Sequence, residues 1–389
     1  MQVRFVAESP RLVGDPVAGP MEQLRFRAMR FDAAGNALDP HGNRCSRIAC
    51  PHCHLEMPRA LLALRQLPIS VVGAPGSGKT SLLAAGMWGL AQRAGEFGLQ
   101  VVDADPAFNT IIHRNENALF ASADPAADVT IPKTDVAGAE LYRSVRIGGN
   151  EEMVPKPAYF VVTSEASRRR SMMVLYDNAG EHFTPGTGDR AFASSTRHLE
   201  RSGCIVIVFD PLQDLGFRSA FAADVDAPHA TGHQRQELVF TEAISKVRQL
   251  RALDPTEPVS IPIVVAMTKA DIWADAALGT DWWRHPVAHN PAERADGLLD
   301  SLGTTSDRLR TVIGRTAPEF VNAIAALAEN AWFIPTSALG TSPARGVDGQ
   351  FRLRAASIRP RWADMPFALA VHLSEKSAKK PEEQGTTGG

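Results

Sequence analysis

Cysteine is scarce here: four in a chain of 389 residues, too few for a disulfide framework. Charge of one sign is not in excess either. A formal net charge of -2 gives no electrostatic ground for nucleic acid or an anionic membrane as main partner. Long hydrophobic runs are missing as well, and the densest, Cys204–Phe209 and Ile261–Met267, are strand-sized and far too short to cross a bilayer. Met1–Gly19 carries Arg4, Glu8, Arg11 and Asp15 with no sustained apolar run, which argues against a secretory signal. No internal repeat is found. A soluble, cytoplasmic chain is the expectation, and 44% hydrophobic residues suffice for a substantial core in one large or two smaller domains.

What is there is an alternation that begins at Leu67: an apolar strand, a functional turn, a helix-length segment. The pattern predicts strands at Ile69–Val72, Ala158–Thr163, Met172–Tyr176, Ile205–Phe209, Ile261–Met267 and Trp332–Ile334, with one more at Gly98–Val102. Near-continuous Val/Ile runs mark strands covered on both faces, hence an α/β fold with a mostly parallel sheet between helices. Ser167–Arg170 is short and polar, as in a solvated hairpin tip, and implies one antiparallel edge. Helices are expected at Lys79–Ala94, at Gln234–Leu253 and over Asp307–Asn330, the last divided near Gly314 and Pro318, and Arg59–Gln66 is helix-compatible. The first forty residues read as irregular or short-strand structure, Phe217–His233 as a loop, and Ser374–Gly389 as a disordered tail.

Three short strings carry the chemistry. Gly73–Thr80 fits G-x-x-x-x-G-K-[ST], with an apolar strand before it and a helix-forming run after it. Gly73, Gly76 and Gly78 let the backbone curl so that N–H groups point at phosphates. Lys79 supplies a point charge to the β- and γ-phosphates, Thr80 a hydroxyl to Mg²⁺, and Ser77 and Ser81 complete the cradle. Asp177, closing an apolar strand beside that loop, is placed to hold Mg²⁺ through water, and Gly180 to offer its N–H to the γ-phosphate. Thr268-Lys269-Ala270-Asp271 follows the next apolar strand. There Asp271 accepts from guanine N1–H and its 2-amino group, donors that adenine lacks, while the stem of Lys269 packs over the base. Thr336-Ser337-Ala338 brings backbone N–H groups to guanine O6. GTP or GDP with Mg²⁺ is the expected cofactor set.

These residues resemble the small-GTPase pattern of the translation-factor-related P-loop class, over roughly Leu67 to Ser374. With Cys50-Pro51-His52-Cys53 shortly before the loop, the chain further looks like the bacterial double-GTPase family of conflict and signalling systems. The resemblance implies a GTPase domain over 67–374, an N-terminal extension over 1–66 and a tail over 375–389. It also implies a protein effector or activating partner. In Ras-type GTPases a Gln after Asp-x-x-Gly orients the attacking water. Here Glu181 takes that position and His182 follows, so slow intrinsic turnover is expected, with a catalytically silent scaffold or an ATPase as alternatives. Thr134 is the candidate switch threonine, with Thr110 and Thr130 as rivals. Arg190 and Arg197 are candidate fingers in cis, against the plainer reading of surface arginines.

Cys50 and Cys53 have the spacing of a zinc knuckle, and Cys45 with His54 or His41 could complete four ligands for a structural Zn²⁺. The c-type haem pattern in the same string needs export, which nothing here directs. Cys204 reads as a core residue, and Trp282-Trp283 as closing a core or anchoring a partner.

Overall fold

Ile205 to Phe209 and Ile263 to Met267 are apolar at every position, and every one of them is buried. A strand with no exposed residue has to be covered on both faces and paired on both edges, and the sheet follows from that requirement. In the computed structural model, which describes residues 3–129, 140–178, 180–183, 194–223, 235–254, 256–284, 293–345 and 351–377, seven strands form the central sheet. For Glu181, His182, Ser194, Ala344, Arg345 and Phe351 the backbone alone is described.

The strands are β1 (Arg65–Gly73), β2 (Leu99–Asp103), β3 (Ala158–Ser164), β4 (Arg170–Asp177), β5 (Cys204–Phe209), β6 (Ile263–Met267) and β7 (Ala331–Pro335). Their order is β2-β3-β4-β1-β5-β6-β7, and β3 alone runs against the rest. The hairpin at the arginine run is present, with Arg168 at φ 51° in its turn. The antiparallel strand is therefore one step in from the edge, because β2 pairs outside it.

Helices α1 (Lys79–Arg93) and α8 (Met365–Ser377) pack together over β1, and α4 (Gln236–Arg251) lies against the same strand from the other side. Between them come α2 (Thr110–Phe120), α3 (Leu215–Phe221), α5 (Ala270–Leu278), α6 (Arg294–Thr316) and α7 (Pro318–Leu327). Residues 4–57 form short antiparallel strands, and a further hairpin, Tyr142–Ile147 with Asn150–Pro155, is inserted ahead of β3. The N-terminal extension lies on the outer sheet face, where Met57, Leu61 and Leu64 pack on Tyr159, Val161, Met172 and Val174. No helix among the described residues is long and apolar enough to cross a membrane.

Several expectations are corrected. Arg59–Gln66 is not a helix: a 3-10 turn spans Arg59–Leu62 and β1 begins at Arg65, because Arg65 to Leu67 pair with Ser171 to Met173. Leu215–Phe221 is helical rather than loop, started by Asp214, whose side chain accepts from the Phe217 N–H at 2.8 Å. Positions 224–233 of that stretch lie outside the described residues. The long C-terminal helical run begins earlier, at Arg294, and breaks at Ala317 before Pro318, while Gly314 stays inside α6 with open space beside it. The tail starts later than supposed, since α8 runs to Ser377; residues 378–389 lie outside the described set. Trp282 is buried edge-on to Trp362 at 5.8 Å, as a core-closing residue would be.

The contact that seats α1, and with it the glycine loop, is tight. A Cβ on Gly86 would stand 2.2 Å from Phe367 Cε2 and 2.5 Å from the Ala363 carbonyl oxygen, so α8 approaches closer than any side chain permits. Gly86→Ala is expected to destabilise the protein by about 1–3 kcal/mol despite alanine's better helix propensity, read as a lower urea midpoint at unchanged slope.

Candidate functional site

Three turns leave the carboxyl ends of strands β4, β1 and β6, with β5 between the last two, and the structure brings them to one place. After Gly73 ends β1, Gly76 (φ 74°) and Gly78 (φ 87°) occupy the left-handed region, which turns the chain back on itself before α1 begins at Lys79. Lys79, Thr80 and Ser81 form the first turn of α1, where a helix directs its backbone N–H groups outward and favours an anion. Ser77 is fully buried; its N–H donates to the Ala74 carbonyl at 3.1 Å, and its hydroxyl has no partner among the described residues.

Asp177 is the last residue of β4, and Lys79 Nζ donates directly to its Oδ1. Thr80 and Asp177 line the same narrow cavity, of about 40 Å³, together with Asn109 and Asn115 of the α2 region. Lys156, before β3, lines it as well, its ammonium drawn below the usual lysine range by burial and by Arg143 nearby. Asn178 anchors the chain after β4: its backbone N–H and side-chain amide both donate to the Val71 carbonyl at 3.1 Å. Gly180 then lies directly on the glycine loop, where an added Cβ would be 2.4 Å from the Gly73 carbonyl oxygen and 3.0 Å from Pro75 Cδ. No residue but glycine fits there. Glu181 and His182 continue a 3-10 turn over Gly180–Phe183, pinned by the fully buried Phe183.

The third turn is fastened to the first. Thr268, at the end of β6, donates from Oγ1 to the Ser77 carbonyl at 2.8 Å, with the Phe209 carbonyl at 3.2 Å. Lys269 adopts φ 57° and starts α5; Asp271 lies in its first turn, where Ser337 Oγ donates to Asp271 Oδ1 at 2.5 Å and in turn accepts from Gly340 N–H at 2.7 Å. Ser337 is itself held by paired backbone bonds to Arg361, at 2.8 and 2.9 Å, so Ser337 and Ala338 stay beside the carboxylate after β7.

Sequence reading missed the residue at the centre of this arrangement. Asp210 follows β5, is completely buried, and accepts from Lys269 Nζ at 2.6 Å, Gln213 Nε2 at 3.2 Å and the Leu212 N–H at 3.1 Å. Burial raises its carboxyl above the usual range, against the lowering by Lys269. The available clue was positional: it ends an apolar strand flanked by two strands whose own ends carry functional motifs.

Other expected residues fall elsewhere. Thr134, Thr130 and Arg190 lie outside the described residues. Thr110 is exposed at the start of α2, and Arg197 is exposed in a 3-10 turn over Ser194–Arg201. The four-ligand zinc set is not assembled, and no group of three or more His, Cys, Asp or Glu side chains gathers as a metal site among the described residues. Cys50 and Cys53 do meet: their side chains hydrogen-bond to each other, and the sharing lowers one thiol of the pair and raises the other. Cys45, though, is buried with its Sγ toward the Asn43 carbonyl at 3.6 Å, and the imidazole of His54 turns away to Asp15 Oδ1 at 2.8 Å. His41 is used by Ser9 Oγ at 2.8 Å. The residues as placed do not fit a tetrahedral ion. Cys204 is a fully buried core residue whose thiol burial pushes far up.

No family model and no curated protein matches the sequence. Solved structures that it resembles include Sup35 complexed with GDP, at 11% identity over 73% of this chain and 40% of that one, with a TM-score of 0.24. The GTP-bound GTPase-like domain of Ski7 from S. cerevisiae follows at 16% identity, 83% and 53% coverage and 0.31. Era Y63A from Aquifex aeolicus bound to GDP·AlF4⁻ stands at 14%, 71% and 52%, and 0.24. This chain thus spans about half or less of each of these structures. Likeness at such TM-scores carries no weight for the fold, which stands instead on strand order and loop geometry.

Thr268→Val keeps the shape and removes the hydroxyl that ties β6 to the glycine loop. It leaves the Ser77 carbonyl without that donor in a dry setting, so a loss of about 1–3 kcal/mol is expected in urea unfolding.

Proposed function

We propose that this protein binds GTP with Mg²⁺ and hydrolyses it slowly, as a regulatory switch read by a protein partner, in the manner of the double-GTPase family it resembles. One observation carries the reading. The glycine loop, the Asp177–Gly180 turn and the Thr268–Asp271 turn converge at the carboxyl end of one sheet and touch each other, through Gly180 against Gly73 and Thr268 against Ser77. Ligands of open parallel sheets bind at that edge.

Thr80 and Asp177, facing one small cavity, fit a Mg²⁺ ion with a hydroxyl and a carboxylate. Bound there, the ion would neutralise charge building on the β- and γ-phosphates. Lys79 now spends its charge on Asp177, and an incoming phosphate is the stronger competitor for that ammonium. Gly180, with no side chain between it and the loop, lets its backbone approach a γ-phosphate, and the buried Phe183 anchors the turn that follows it. Asp271, oriented by Ser337, offers two acceptor oxygens to the paired donors of guanine.

The test is base selection. Wild-type protein should bind and hydrolyse GTP in preference to ATP by roughly 10⁴-fold, and Lys79→Ala should abolish turnover. Asp271→Asn replaces one acceptor with a donor and should move preference toward xanthosine triphosphate, whose base carries an oxygen where guanine has the 2-amino group. An Asp271→Asn protein that still prefers GTP, or a wild type that prefers ATP, would sink the guanine assignment.

A further inference from the structure

Outside the three expected turns, the most heavily engaged group near the site is the Asp210 carboxylate. It is fully buried, yet its charged partner, Lys269, stands in the guanine motif with its side chain about one-fifth exposed. A buried carboxylate is costly unless it is paired and hydrogen-bonded, so a site that keeps one has that charge fixed in position. Asp210 Oδ2 receives both Lys269 Nζ at 2.6 Å and Gln213 Nε2 at 3.2 Å. Gln213 Nε2 lies 3.8 Å from where a Cβ on Gly76 would be, so the same amide borders the glycine loop. Asp210 itself cannot drift. The Gln236 side chain, first in α4, clasps its backbone by accepting from the N–H at 3.0 Å and donating to the carbonyl at 2.8 Å.

We infer that Asp210 is a positioning residue for guanine-nucleotide binding: it holds the Lys269 side chain in one conformation as a preformed wall for the base, and through Gln213 it joins that wall to the phosphate loop. The inference rests on the proposed GTP-binding reading. Lys269 needs such a clamp because four rotatable bonds leave a free lysine with many conformers, and ordering them on binding would weaken affinity. The backbone at Lys269 is left-handed, and the ion pair with Asp210, just after β5, fixes where its side chain ends. Since the clamp acts on the base end of the ligand, it is blind to the γ-phosphate. Since it does not read the base edge, it is separate from the selection by Asp271.

Those two properties define the experiment: affinities of fluorescent GTP and GDP analogues for the full chain, for Asp210→Asn, for Lys269→Met and for the double variant, with ATP as competitor. Asp210→Asn should weaken GTP and GDP by the same factor, about tenfold, with kcat and the preference over ATP retained. Lys269→Met should lose a similar amount, and the double variant no more than either alone. Asp210→Asn binding as tightly as wild type, or losses that add in full, would overturn the inference. If Asp210→Asn does not fold, Lys269→Arg carries the test: it keeps the pair and should bind more tightly than Lys269→Met, and equal affinities would overturn the clamp. A wild type that binds neither GTP nor GDP would show up before any variant is made, and would remove the functional reading itself.

Discussion

Burial of β1 on both faces is the constraint on which everything else in this protein depends. A strand whose Ile69, Val71 and Val72 are wholly buried must pair on both edges, with β4 on one and β5 on the other. Helices must then cover it above and below, and the chain has to leave its carboxyl end in a tight turn to begin α1. The glycines of that turn are a consequence of how closely the elements approach: Gly180 lies on the Gly73 carbonyl, and Gly86 takes α8 nearly onto the backbone of α1. The site is assembled by this packing rather than by loops finding one another.

The electrostatics are arranged around the same edge. Two carboxylates stand at strand ends on either side of β1, Asp177 closing β4 and Asp210 following β5, and each is paired with a lysine, Lys79 and Lys269 respectively. The two pairs differ in burial. Asp177 keeps some exposure, whereas Asp210 is shut away from solvent. Removing one member of such a buried pair leaves an uncompensated charge, so the two residues stand or fall together.

The N-terminal extension is physically integrated with the sheet, since its Met57, Leu61 and Leu64 close the outer face of β3 and β4. Its Cys50–Cys53 turn is a stable local structure, with Cys50 N–H donating to Leu55 at 2.8 Å and His54 N–H to Cys50 at 3.0 Å, and His54 at φ 58°. The spacing of the cysteines was legible in the sequence; the destinations of Cys45 and His54 were not. Asp15, brought to His54 from 39 residues away, competes for the imidazole, and only a folded chain sets that pairing.

The sequence by itself determined the alternation of buried strand and helix, the positions of the seven central strands to within a few residues, and the three turns that meet at their carboxyl ends. These are local properties: side-chain period, glycine placement and the spacing of a lysine after a strand act within a few residues of each other. Helices α2, α5 and α8 were not read from the sequence; α2 packs on α1, α5 on α3 and α6, and α8 on the sheet and α1. Likewise the choice of strand over helix at Arg65–Leu67 was made by pairing with β4. Tertiary structure alone decided that Thr268 meets Ser77, that Ser337 meets Asp271, and that Asp210, an unremarked residue after β5, pairs with Lys269. Each of those contacts joins residues 59 to 191 positions apart, a distance over which no sequence pattern exerts a force and only the shared sheet can bring groups together.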